Sequence, residues 1–216
     1  SSSTHGYNAG GTVGGTSNVI DKYQFNTSNN ATDVGDLSTG RQSGAQCNSE
    51  TYGYIGGGSG VVYTNGTEKW AFASDGDATA VGALGPSASA VPGIGAASAT
   101  YGYYAGKYTG GGDDFIIEKF SFSSDGNSTT VGDLTASTYA AYPGGSSSAT
   151  HGYRAGGNDG GSNFTDVIDR WSFASDGDAT DVGDLTIGMG DSGGSSSTTH
   201  GYIFGGWSQT DTNKIE

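Results

Sequence analysis

Basic residues are scarce in this chain: 8 Lys plus Arg stand against 22 Asp plus Glu in 216 residues, a formal net charge of −14. Such a charge repels phosphate backbones and anionic membrane surfaces and sets nucleic acid aside as a partner. With Cys47 alone, no disulfide forms within the chain, and a small buried hydrophobe is its default role. No apolar run approaches 18 residues and no basic-then-apolar segment opens the sequence, so neither a transmembrane helix nor a signal peptide is visible. No segment sustains a 3.6-residue apolar period, which excludes a substantial helical content.

What is present is glycine and aromatic rings. The 42 Gly, 13 Tyr, 8 Phe and 3 Trp predict a core of aromatic side chains packed on glycine backbone. These residues recur in order: Gly-Tyr-x-x-Gly-Gly, then Ile-acid-base-aromatic-x-Phe, then Ala-Thr-Asp-Val-Gly-Asp-Leu. Tyr7, Tyr54, Tyr103, Tyr153 and Tyr202 mark the period, at spacings of 47, 49, 50 and 49 residues. A period of this size filled with short strands and Gly-rich turns belongs to propeller blades, so the predicted fold is all-β, a β-propeller of four-stranded blades of about 49 residues. The repeat units lie near 1–48, 49–97, 98–147 and 148–197, with a partial unit at 198–216. Ser1 aligns late in a first strand and Glu216 partway through a third, so the expectation is a segment of a larger protein, incomplete at both ends, or a ring closed by another chain.

Each repeat divides into strands a to d. Strand b is typified by Tyr52 to Gly57 and His151 to Gly157, strand c by Glu68 to Phe72 and Val167 to Phe173, and strand d by Ala78 to Leu84 and Ala179 to Leu185. Strand a, as in Gly144 to Ser148, is made of small residues suited to a crowded propeller axis. Asp-Gly between aromatic strands, at Asp75-Gly76, Asp125-Gly126 and Asp176-Gly177, is a strong hairpin signal.

The Gly-Gly that closes strand b and the aromatic pair of strand c resemble the kelch repeat, over about four and a half repeats. Kelch repeats place a Trp after strand c where this chain has a longer Asp-Gly turn and Val34, Val81, Val131 or Val182. Thr-His-Gly-Tyr with Val-Ile-Asp-Lys and Ala-Thr-Asp-Val-Gly-Asp-Leu is similar to repeats of structural and tail-associated proteins of marine bacteriophages. The resemblance implies a virion or extracellular location and contact with other structural subunits.

No enzyme signature survives inspection. Ser146-Ser147-Ser148 lacks a positioned base and oxyanion motif, and the Gly-rich turns lack the Lys and helix of a phosphate loop. His5, His151 and His200 share a repeat position with Tyr52 and Tyr101, which points to a packing or hydrogen-bonding job and away from zinc. The Asp-Gly-Asp turns offer oxygens to calcium, but the first repeat reads Asn26-Thr27-Ser28-Asn29-Asn30 there, which favours turn chemistry. No cofactor or metal is expected. The acid-base pairs of strand c, Asp21-Lys22, Glu68-Lys69, Glu118-Lys119 and Asp169-Arg170, point to opposite faces, with Lys22 to Asp36 and Arg170 to Asp184 as expected bridges.

Alternating strand direction puts the b–c and d–a connections on one face, and there the repeats differ most. The candidate ligand-binding residues on it are Arg41, Tyr63, Tyr108, Tyr139, Tyr142 and Trp207, with Asp113, Asp114 and Asp159 to accept hydroxyl hydrogen bonds. The function expected is non-enzymatic recognition of a cell-surface glycan or protein. The alternatives are a purely architectural contact module, a homo-oligomeric assembly included, and then a carbohydrate-active enzyme with carboxylates at the ring centre.

Overall fold

Each repeat enters strand b through a serine turn. In a computed structural model describing residues 1–60, 64–85, 91–108, 113–135, 143–158, 163–208 and 214–216, Ser49 Oγ accepts from the Tyr52 amide at 3.0 Å. The Ser49 amide donates back to the Tyr52 carbonyl at 2.9 Å. Ser2, Ser98, Ser148 and Ser197 repeat both bonds with His5, Tyr101, His151 and His200. A hydroxyl that satisfies the turn amide spares the a–b corner a glycine.

The turns generate three antiparallel four-stranded sheets. The first four-stranded sheet pairs Ala45–Asn48, Tyr52–Gly56, Gly66–Ala71 and Thr79–Ala83 in that order. The next pairs Val91–Ala97, Tyr101–Tyr108, Asp113–Ser121 and Thr129–Asp133, and the third Gly144–Ser147, His151–Ala155, Val167–Ser172 and Thr180–Asp184. They are preceded by a three-stranded sheet of His5–Ala9, Val19–Gln24 and Thr32–Asp36 and followed by the pair Gly193–Ser196 and Gly201–Phe204. Counting these, the described residues carry five repeat sheets in sequence, besides a two-strand ribbon of Arg41–Gln42 with Ser59–Gly60. Repeated four-stranded sheets without helix among the described residues are consistent with a β-propeller-like fold.

Glycine in strand b is demanded by the ring across from it. Gly53 pairs with Trp70, Gly102 with Phe120 and Gly152 with Trp171, and in each case a Cβ would collide with the aromatic side chain lying over the glycine. A further glycine follows the valine of strand d, as in Val131-Gly132, where the register of every c–d pair shifts, as between Ile117 and Glu118. This bulge bends the outer strand, and the turn of the next sheet docks on it: a Cβ on Gly35, Gly82 or Gly132 would strike the carbonyl of Gly76, Gly126 or Gly177.

Sheets therefore stack face to face, with a repeated ring contact at each of the first three junctions. Tyr7 stacks on Phe72, Tyr54 on Phe122 and Tyr103 on Phe173, with centroids 4.8, 4.9 and 4.7 Å apart. Such pairs contribute about 0.5–1.5 kcal/mol each beyond their buried area. Cys47 lies in the junction of the second and third sheets, packed among Tyr54, Leu84, Tyr104 and Phe120. Part of the residue is exposed, yet its thiol is enclosed, and burial pushes it up to about 12 against hydrogen bonds with Tyr104 and Tyr103.

Gly132→Ala is expected to destabilise the fold by about 3 kcal/mol, the cost of overpacking a dense junction. Gly183→Ala, at the same repeat position with φ near 149° but open space around it, is expected to cost about 1 kcal/mol from backbone strain alone. Urea denaturation of the two variants checks the difference. Cys47 is expected to react with a thiol reagent at pH 8 only after denaturant is added.

Candidate functional site

Adjacent strand residues face opposite ways, and strand c uses this to hold both neighbours. The acid and the two aromatics, as in Glu68, Trp70 and Phe72, face the preceding sheet; the base faces the following one. Glu68 accepts from the Ser38 amide at 2.8 Å and its hydroxyl at 2.9 Å, and Glu118 from the Gly85 amide at 2.6 Å. Asp169 accepts from Thr135 Oγ1 at 2.5 Å, and Glu216 from the Thr186 amide at 3.1 Å and from its hydroxyl, which lower the Glu216 carboxyl below its usual range. Each acceptor reaches the residue just past strand d of the sheet before it.

The bases reach the other way. Lys22 pairs with Asp75, Lys69 with Asp125 at 2.6 Å and Lys119 with Asp176 at 2.5 Å. The expected bridge from Lys22 to Asp36 gives way to Asp75 and the one from Arg170 to Asp184 is not made, because the register sets Asp36 opposite Val19 and Asp184 opposite Val167, three residues from each base. Arg170 is exposed and makes no ion pair among the described residues. The Asp-Gly-Asp turns are occupied by the same clasp: Asp77 Oδ1 accepts from the Asp36 amide at 3.0 Å and Asp178 Oδ1 from the Asp133 amide at 3.1 Å. The Gly76 amide donates to the Val34 carbonyl at 2.7 Å alongside. Their c–d connections are longer than a two-residue hairpin because they span this gap between sheets.

Three buried cations neutralise the strand-c acids. Arg41 pairs with Glu68, Lys107 with Glu118 at 3.6 Å and Arg154 with Asp169 at 3.0 Å, all six side chains no more than 3 % exposed. Arg41 also donates to the carbonyls of Gly57 at 3.2 Å and Gly66 at 3.1 Å. Arg41 was expected to meet a ligand; it is instead a buried brace, and burial lowers its guanidinium, as it does that of Arg154. Lys107 and Arg154, which sequence reasoning left out of the site, are cations within strand b, and that placement in a half-buried strand was their available signal.

The loop face is assembled by pairing of d–a with b–c connections. Arg41–Gln42 forms a two-strand ribbon with Ser59–Gly60, and Gly190 forms a bridge with Trp207, with amides donating in both directions at 2.8 and 3.0 Å. Trp207 is 45 % exposed, and its ring meets Phe164 edge-on at 5.2 Å and 83°. Phe164 is itself fixed by a bridge to Asn158. Tyr108 ends strand b half-buried and pairs through its backbone with Asp113, as Lys107 does with Asp114. Tyr63, Tyr139, Tyr142 and Asp159 lie outside the described residues, as does part of each loop that carries them.

The histidines belong to the opposite end of the strands. Each ring bonds through Nδ1 to the threonine before it, Thr4, Thr150 and Thr199, at 2.8, 2.8 and 2.9 Å. Among the described residues no group of three His, Cys, Asp or Glu side chains is placed to hold a metal.

No family model matches the chain, and no curated protein matches it in sequence. Among solved structures it is similar to one described as the structure of YjhT, at 10 % identity and a TM-score of 0.82, over 99 % of this chain and 78 % of that one. At this identity the likeness shows the fold alone.

Arg154→Ala, which strands Asp169 in the interior, is expected to cost about 3–5 kcal/mol of stability. Arg170→Ala, one strand over and exposed, should stay within about 0.5 kcal/mol. Chemical denaturation of both variants tests the assignment of buried and exposed cations.

Proposed function

We propose that the chain is part of a kelch-like β-propeller that acts as a non-enzymatic recognition module of a virion or cell-surface protein, binding a glycan or protein through its b–c and d–a loop face. One observation carries this reading: Trp207 is exposed, yet it is pinned by paired backbone hydrogen bonds to Gly190 and by the edge of Phe164. A rigid aromatic plane presented to solvent loses little freedom on binding, which suits stacking on a sugar ring or anchoring in a protein pocket.

The distribution of polar groups supports a binding role over a hydrolytic one. The strand-c carboxylates of Glu68, Glu118 and Asp169 and the turn carboxylates of Asp75, Asp77, Asp125, Asp176 and Asp178 are engaged between sheets. The c–d side of the sheets is given over to the clasp, so recognition falls to the loop face. An architectural role is favoured by a different feature, the exposed Tyr23 and Phe25 on the first sheet, which would contact a neighbouring subunit.

Purified protein is expected to bind receptor-bearing cells or members of a glycan array. Trp207→Ala should weaken that binding about tenfold or more while leaving thermal unfolding unchanged. Equal binding to receptor-positive and receptor-negative cells would refute recognition, and glycan hydrolysis by the protein would restore the enzyme reading.

A further inference from the structure

The cations of this chain are spent on its fold. All eight Lys and Arg lie among the described residues. Lys22, Lys69 and Lys119 reach the c–d turns and pair there with Asp75, Asp125 and Asp176. Arg170 holds the same repeat position in a later sheet, opposite Thr180, and lies toward that same end. Arg41, Lys107 and Arg154 stand nearer the loops, but each is buried against a strand-c carboxylate. Lys214, the last of the eight, donates to Thr186 Oγ1 at 3.4 Å, the hydroxyl that also holds Glu216. The Glu216 carboxyl is lowered first by its bond to Thr186 and further by the Lys214 charge.

Carboxylates, by contrast, are left over on the loop face. Asp191 follows Gly190, the backbone partner of Trp207, and Asp166 lies two residues past Phe164, the ring that meets Trp207 edge-on. Both are exposed, and neither is in an ion pair among the described residues. Trp207 is therefore a fixed ring with acidic oxygen acceptors on the loops that orient it and no free cation beside them.

We propose that the ligand of the Trp207 face is an uncharged saccharide, and that the face discriminates against sulfated and other anionic glycans. This rests on the recognition reading above and names the ligand class for it. The C–H face of a pyranose suits the negative face of an aromatic ring, and the hydroxyls at its rim donate to carboxylates. A protein pocket closing over the same ring would strip water from both carboxylates and leave them to be paired. An anionic group brought there meets two like charges on a chain of net charge −14. Two like charges ~6 Å apart in water oppose binding about threefold, so the two carboxylates together exclude an anion by about tenfold.

An array of uncharged oligosaccharides of hexoses and N-acetylhexosamines, each also present with one added sulfate, is the test. At about 20 mM salt the protein is expected to bind uncharged members and to bind the sulfated form of each about tenfold or more weakly. Raising the salt to about 1 M, where the screening length falls to about 3 Å, should narrow that ratio at least about threefold and leave the uncharged member unchanged. Asp166→Asn combined with Asp191→Asn should narrow it likewise at low salt; Asp191 has φ of 53°, a backbone that Asn also tolerates. A sulfated form that binds as tightly as its uncharged core, or more tightly, would overturn the proposal. So would a ratio that neither salt nor the double variant moves, since shape and not charge would then exclude the anion. Cell binding retained without any binding to the array overturns the saccharide and leaves recognition standing, whereas loss of both overturns the two together.

Discussion

The acid-base pair in the middle of strand c is the constraint on which the stacking of the sheets depends. Its two members are neighbours in sequence and therefore lie on opposite faces of the strand. One side chain reaches back to the residue after the preceding sheet's strand d, and the other reaches forward to the turn of the following sheet. Glu118 and Lys119 do this within a single peptide unit, at Gly85 and at Asp176. The aromatics at alternate positions share the acid's face, so the polar clasp and the ring contacts act on the same junction. Sheets whose relative position is set at several points have little freedom to slip, and that rigidity is what holds the loops above them.

Burying the acid has a consequence that the repeats answer in three ways. A desolvated carboxylate without a counter-charge costs several kcal/mol, and hydrogen bonds to a serine or a glycine amide compensate only in part. Arg41 delivers the charge from a d–a connection, Lys107 from the end of strand b and Arg154 from its middle. The location of the cation in the sequence varies while its location in space does not. The junction requires a charge at the carboxylate, and any segment that can reach it serves to supply it.

That freedom explains what the sequence made legible. Strands b, c and d were readable because each carries a residue with a local reason, the glycine under a ring, the aromatic pair, the Val-Gly bulge. The alternation of faces was readable from the acid-base pairs, but their partners were not: the bulge in the c–d register, which sets Asp36 opposite Val19, and the stacking of the next sheet, which brings Asp75 to Lys22, are both invisible in the repeat pattern. Arg41 was misplaced for the same reason. A lone cation in a variable connection looks like a surface group, and its burial depends on Glu68, 27 residues away, coming to lie beneath it. Trp207 was recognised as a candidate, whereas Phe164 and the Gly190 backbone that orient it were not, since a bridge between distant loops leaves no pattern in either one.

An array in which each sheet contacts only its neighbours distributes its stability among junctions, and this separates the two ends of the strands by function. A substitution in a c–d turn disturbs a junction directly, because the turn's side-chain oxygens accept from the sheet before it and the turn's amides donate to that sheet's carbonyls. A substitution in a b–c loop disturbs mainly the loop, which explains how the connections on that face can diverge while the turns below them repeat. Trp207 occupies the tolerant end, on a backbone pair that adds a hydrogen-bonded bridge without drawing on the clasp. A protein built this way can change what its loops present at little risk to its fold, and that property is what a recognition surface requires.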